Sequence, residues 1–226
     1  SAGLSSNRSS VTEVSTAPTK TRLMLVSGDD RHVICLGTET TIGDTSTQDS
    51  MFIRWSTQEN QNEWTPSSVN TAGSHRLTAG NQIQSAVRSR GAILIWTDTA
   101  LYQMQFIGPP LTFGFKQLGS NCGAVGLNAA VDVNGIAYWM GNDSFFLYDG
   151  AVKKIPCSVQ DHVFDSISPS SLTEVYCASN ADYNEVMWFY ADSTSNVINK
   201  QVVYNYLENL WYVGSLGLTS GALSTN

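Results

Sequence analysis

The stretch AAVDVNGIAYWMGNDSFFLYDGAVKKI, residues 129–155, decides the fold. It divides into four short apolar runs: 129–133, 136–140, 144–148 and 152–155. Asn134-Gly135, Gly141-Asn142-Asp143 and Asp149-Gly150 separate them. Asn-Gly and Asp-Gly supply the positive φ that two-residue hairpin turns require. Four strands joined by tight turns pair with their sequence neighbours, and that is one propeller blade.

Working outward, the tryptophan of this unit has counterparts. Trp55, Trp96, Trp139 and Trp188 are separated by 41, 43 and 49 residues, and each ends an apolar run followed by a polar segment. A second aromatic run usually follows, as at Tyr102, at Phe145 to Tyr148 and at Tyr204 to Tyr206. A repeat of this length built from short aromatic strands is the signature of propeller blades. Large aromatic rings fill the wedge between twisted neighbouring sheets. The expectation is therefore an all-β chain, a β-propeller of four-stranded blades. About four blade-like units are present, closed by themselves or as part of a larger propeller.

In the first unit the strand candidates are 23–26, 31–36 and 51–55, and Trp64-Thr65-Pro66 closes the unit, with 67–81 as loop. In the second they are 83–88, 92–96, 101–107 and 111–117, with Gly108-Pro109-Pro110 breaking the third from the fourth. The fourth unit takes 172–178, 185–190, 201–206 and 210–213. Between the third and fourth units, Val159, Val163, Phe164 and Ile167 recur at helical spacing and predict one short helix. Residues 1–20, rich in Ser and Thr, read as an arm or connection, 21–213 as the propeller domain, and 214–226 as coil.

Composition narrows the function classes. Charged residues make up only 14% of the chain and the net charge is -7, whereas ~25% charged is ordinary. A protein that grips nucleic acid through its phosphates is basic, so specific DNA binding is not expected. Cys35, Cys122, Cys157 and Cys177 lie 87, 35 and 20 residues apart with no Cys/His cluster, which argues against zinc and for buried, reduced thiols. His32, His75 and His162 are isolated in sequence and read as packing or surface residues. No apolar run reaches the ~20 residues that span a bilayer.

No catalytic or cofactor motif stands out: the chain has no GxSxG, no HExxH and no P-loop. Gly119, Gly123 and Gly126 lack the Lys-Ser/Thr ending of a phosphate loop and read as a loop reaching a neighbouring blade. Asp98, Asp143, Asp149 and Asp192 fall at or near hairpin turns. A facing pair would suit glycoside hydrolysis, but Asp143 and Asp149 flank one strand and lie at its opposite ends, and Asp at turns is ordinary local chemistry.

Gly135 to Gly150, followed by Val152-Lys-Lys-Ile-Pro-Cys157 and Asp161-His-Val-Phe164, resembles the tail nozzle proteins of short-tailed bacteriophages, also called tail tubular protein B or packaged-DNA stabilisation proteins. Phe52-Ile-Arg-Trp-Ser56 and Asn62-Glu-Trp-Thr-Pro66 fit the same style. The shared texture is carried by Trp139 with Tyr148, Asp149 and Gly150, and spans roughly residues 30–213 of a family whose members are much longer. The resemblance implies a non-enzymatic virion protein, a homo-oligomeric and commonly six-fold tube below the portal and adaptor rings. It would retain packaged DNA and conduct it during ejection without sequence-specific contact or cofactor. The alternatives are a propeller binding module, reading a protein or sugar through rim loops 97–99 or 141–143, and a glycoside-active propeller enzyme.

Overall fold

The computed structural model describes residues 14–28 and 30–216, which form four antiparallel sheets of four strands each. Sheet one holds β1 (Leu23–Val26), β2 (Val33–Leu36), β3 (Phe52–Trp55) and β4 (Gly73–Arg76), and sheet two β5 (Ile83–Ser89), β6 (Ala92–Thr97), β7 (Ala100–Gly108) and β8 (Thr112–Ser120). Sheet three holds β9 (Ala130–Val133), β10 (Ile136–Met140), β11 (Phe145–Tyr148) and β12 (Val152–Ile155), and sheet four β13 (Tyr176–Asn180), β14 (Glu185–Tyr190), β15 (Lys200–Asn205) and β16 (Leu210–Ser215). In every sheet the strand order is the chain order, as tight hairpins require. The expected all-β architecture of blade-like, four-stranded sheets is the architecture observed.

Turn chemistry sets the hairpins. Asn134 and Gly135 have φ of 53° and 80° and connect the paired residues Val133 and Ile136, a two-residue turn with both residues left-handed. Arg90 and Gly91, at 45° and 74°, do the same between Ser89 and Ala92. The Asp149-Gly150 turn departs from expectation. Tyr148 pairs with Val152, so three residues bridge the strands and only Gly150 has positive φ. Asp149 is freed to accept a hydrogen bond from Lys153 Nζ at 2.6 Å.

The sheets pack in series through three apolar interfaces. Ile34, Leu36, Ile53 and Trp55 of sheet one meet Ile93, Ile95, Tyr102 and Phe113 of sheet two. Trp96 and Leu101 of sheet two meet Trp139 and Phe146 of sheet three. Tyr138, Met140 and Phe145 of sheet three meet Val186, Trp188 and Tyr204 of sheet four. First strands run side by side: Ser85 Oγ on β5 donates to Leu127 O just before β9, and the amide of Cys177 on β13 donates to Asn128 O. Fourth strands lie at the opposite edge, where His75 on β4 stacks on Phe115 of β8 with ring centroids 4.1 Å apart.

All four repeat tryptophans are almost fully buried, but they are not four copies of one position. Trp96, Trp139 and Trp188 lie on the second strands of their sheets, whereas Trp55 lies on the third strand of sheet one. The even spacing at Trp55 arises because the long loop after β2 displaces β3 along the sequence. The indole N–H groups also differ. Trp55 donates to Thr71 O at 2.9 Å, Trp139 to Cys122 O at 2.8 Å and Trp188 to Ala129 O at 3.1 Å. The buried Trp96 N–H has no acceptor among the described residues.

Two strands were placed wrongly from sequence. Residues 67–81 are not all loop: Gly73–Arg76 (GSHR) is β4, held to β3 by backbone pairing with no apolar alternation to announce it. Trp64 instead buries itself in the preceding loop, donating to Gln61 O at 2.7 Å. In sheet four, Pro169–Glu174 turns as a 3-10 helix, so β13 begins at Tyr176 rather than at Leu172. The predicted helix is present as α1 (Gln160–Ser166), with Val163 buried and Phe164 against Phe145 at 5.3 Å.

Residues 14–20, expected to be arm, follow the edge of sheet one, where Glu39 accepts hydrogen bonds from Thr19 N–H at 3.3 Å and Thr19 Oγ1 at 2.5 Å. At the other end β16 continues through Gly214 and Ser215, beyond the expected boundary of the coil. Residues 1–13 and 217–226 lie outside the described residues.

Truncating Trp139 to Ala is expected to cost ~3–5 kcal/mol, because the wedge it fills cannot collapse. Trp139→Phe strands Cys122 O and should cost more than Trp96→Phe, which strands nothing. Urea unfolding of the three variants checks the order.

Candidate functional site

A meander alternates its turns between two rims. The connections from second to third strand share one rim and carry Asp98, Asp143 and Asp192, while Asp149, between third and fourth strands, lies at the other. Only Asp98 and Asp143 come together, lining a cleft of about 230 Å³ with Asn121, Gly123 and Phe146. They do not form a facing pair of free carboxylates. Asp98 accepts from Asn81 N–H at 2.8 Å, from Asn81 Nδ2 at 2.9 Å and from Gln82 N–H at 3.4 Å. Burial pushes the Asp98 carboxyl up, and these hydrogen bonds together outweigh it and hold the group below the ordinary value. Asp143 is exposed, 3.9 Å from Lys154 Nζ.

The other two turn carboxylates have local partners. Asp192 accepts from Thr194 Oγ1 at 2.6 Å and Thr194 N–H at 3.0 Å, and the Thr194 hydroxyl and then Asn199 hold its carboxyl below the usual range. The Lys153 ammonium does the same to Asp149. Tyr148 is half-buried at the interface of sheets two and three, beside Gly150.

The glycine-rich segment is a backbone crossing. After β8, Cys122 N–H donates to Thr99 O and Ala124 N–H to Thr97 O, both on sheet two, and Val125 N–H then donates to Met140 O on sheet three. A Cβ on Gly123 would lie 2.2 Å from Asp98 O, and one on Gly126 would lie 2.6 Å from Thr173 O. Glycine is required because main chain passes against main chain, and the expected loop to a neighbouring blade is present.

A larger concavity lies at the opposite rim from Asp98. It is a cleft of about 720 Å³ bounded by the turns β1–β2, β5–β6 and β9–β10. Met104, Phe106 and Phe113 form its apolar wall, and Arg88 and Arg90 reach it from β5 and its turn. Beneath it His32 is fully buried, with Nδ1 2.9 Å from Asp30 Oδ2 and Nε2 3.0 Å from Thr71 Oγ1. Ser27 Oγ also donates to Asp30 Oδ2, at 2.6 Å. The partners imply that Nδ1–H donates to Asp30 and that Nε2 accepts from Thr71. Thr71 Oγ1 already accepts Gln58 N–H at 2.9 Å, so the chain Asp30–His32–Thr71 braces the two sides of sheet one rather than presenting a free hydroxyl. His32 is thus a packing residue, edge-on to Phe113 at 5.1 Å.

Sequence reasoning missed this cleft. It favoured loops 97–99 and 141–143, and the larger opening faces the other rim. The local signals were Asp30-Arg31-His32 and Arg88-Ser89-Arg90, two-residue alternations at strand ends. Nothing in the sequence shows that these pairs share a wall. No group of three or more His, Cys, Asp or Glu among the described residues is arranged to hold a metal ion. All four cysteines are free, and burial pushes the Cys35 thiol up to about 11. No helix of the described residues is long and apolar enough to cross a membrane.

No protein-family model matches the chain, and no curated protein does. Among solved structures, one similar chain comes from an S. cerevisiae complex of a dbp5 variant bound to nup159, a gle1 variant, IP6 and ADP. The identity is 9% and the TM-score 0.36, over 90% of this chain and 62% of that one. The chain thus spans less than two thirds of that neighbour, and a likeness of this size assigns neither family nor activity.

Asp98 makes the stability of this rim pH-dependent. Its carboxyl is held below the unfolded value, so its contribution is complete above the ordinary carboxylate range and is lost as pH falls through the lowered pKa. Asp98→Asn should cost about 1 kcal/mol or less near neutral pH, since solvent screens a partly exposed group. The gap to wild type should close in acid, as thermal melts across a pH series would show.

Proposed function

We propose that this chain is a structural virion protein, a subunit of the tail nozzle of a short-tailed bacteriophage. In this reading it associates with copies of itself in a ring, joins the portal and adaptor proteins, and forms part of the wall through which packaged DNA is retained and then conducted. It performs no catalysis. The residues of the resemblance, Gly135 to Gly150, fall on the two central strands of sheet three and their turns, and the chain's acidity suits a conduit to which DNA does not adhere.

The observation that carries the reading is the outer face of sheet four. Three interfaces bury one face of sheet four and both faces of sheets two and three. The outer face of sheet one is covered in part by the loop after β2, through Arg54 Nη2 donating to Thr40 O at 2.7 Å. On the outer face of sheet four, Tyr176 stacks on Phe189 at 4.7 Å, with Met187 and Tyr212 alongside. Tyr176 and Tyr212 remain 42% and 45% exposed. Glu185, which accepts from the Tyr212 hydroxyl, and Gln201 share this face, and an exposed aromatic patch with polar groups beside it marks a contact surface, which a subunit of a tube needs laterally. The glycoside-active alternative gains nothing from Asp98, Asp149 and Asp192, whose acceptor positions are occupied by local donors.

Sedimentation velocity on the whole chain, with cryo-electron microscopy of the assemblies, tests this. The expected result is a ring around an axial channel, lost in Tyr176→Lys and Tyr212→Lys variants that keep the wild-type circular dichroism spectrum. A wild-type chain that stays monomeric over the accessible concentration range would overturn the reading.

A further inference from the structure

We propose that the cleft between the β1–β2, β5–β6 and β9–β10 turns binds a saccharide bearing a carboxylate. The inference is independent of any assembly the chain enters. The cleft, at about 720 Å³, falls in the range of small-ligand sites, which combine apolar wall with a few convergent polar groups.

The ionic groups of the cleft are not equivalent. Its two carboxylates have internal donors: Asp30 accepts from Ser27 and His32, and Asp132 Oδ1 accepts from Gly135 N–H at 3.0 Å, while the buried Asp132 Oδ2 has no partner among the described residues. Arg88 and Arg90 are both exposed, and neither has an acceptor within hydrogen-bonding distance among the described residues. In a chain of net charge -7, two guanidiniums without an acceptor among the described residues in one concavity form an unmet demand for an anion. A guanidinium fork matches a planar carboxylate in two parallel hydrogen bonds. With Asp30 and Asp132 also lining the cleft, a phosphate dianion is less well matched than a single negative charge.

The remaining polar groups are amides. The side chains of Gln58, from sheet one, and Asn134, from the β9–β10 turn, line the same opening and have no partner among the described residues. Each offers both donor and acceptor, as vicinal hydroxyls require. Phe106 is 36% exposed and packs against Phe113 and His32, both buried. One aromatic face suits the apolar side of a pyranose ring. A nucleobase would gain more from two faces.

Isothermal titration of the whole chain with 3′-sialyllactose and with a glucuronate disaccharide tests the proposal, with lactose and AMP as comparators. Carboxylated sugars should bind at least about tenfold more tightly than lactose, as expected when a charge-assisted hydrogen-bonded pair is gained. Arg88→Ala and Arg90→Ala should each weaken binding about fivefold or more. Both sites are exposed and lie outside the core, so folding is preserved. Asn134→Gly keeps the left-handed turn and removes only the amide, and it should weaken lactose and the acidic sugars alike. Absence of binding, equal affinity for lactose, tighter binding of AMP, or affinity unchanged by both arginine substitutions would each overturn the assignment.

Discussion

The Trp139 side chain is the contact on which the order of the sheets depends. Its ring lies 5.3 Å from Trp96 of sheet two and 5.4 Å from Phe146 of its own sheet, and its N–H fixes the chain at Cys122. One residue therefore fills the wedge between two twisted sheets and also determines where the crossing from β8 to β9 must run. Twisted sheets packed face to face leave a tapering gap, and only a large flat ring with a polar edge both fills the gap and bonds the strand beside it.

The crossing itself explains the glycines. Residues 122–125 hydrogen-bond first to sheet two and then to sheet three, and the segment lies so close to Asp98 and Thr173 that a side chain at Gly123 or Gly126 would overlap main chain. A sequence that looks like a phosphate-binding loop is thus a consequence of blade packing. The same economy governs the acidic residues at the turns. Asp149 and Asp192 accept hydrogen bonds within or beside their own turns, and Asp98 ties its turn to Asn81 in the loop before β5. Arg88 and Arg90, by contrast, share one cleft without an acceptor among the described residues.

Elements with a local signature were legible in the sequence. The strands of sheet three and the helix at 160–166 follow from apolar runs, left-handed turn residues and helical spacing, all encoded within a few residues. β4 was not legible, because GSHR becomes a strand only through backbone bonds to β3 and through Gly73 lying directly under the Trp55 ring. Trp55 misled for a related reason: an even interval counts residues, and a long loop consumes them without adding a strand. The candidate cleft was hidden more completely, since its arginines, amides and aromatic wall come from three sheets.

The sequence by itself determined the all-β class, the meander within each sheet and the use of aromatic residues to fill the spaces between sheets, because pairing partners in a meander are sequence neighbours and turn residues declare themselves through φ. Only the tertiary structure decided which tryptophans are equivalent, which rim opens into a cleft and which aromatic face is left exposed among the described residues. Those properties depend on how the sheets pack and where crossings lie. Long-range contacts such as Trp188 to Ala129 or His32 to Thr71 set them, and no local pattern specifies such contacts.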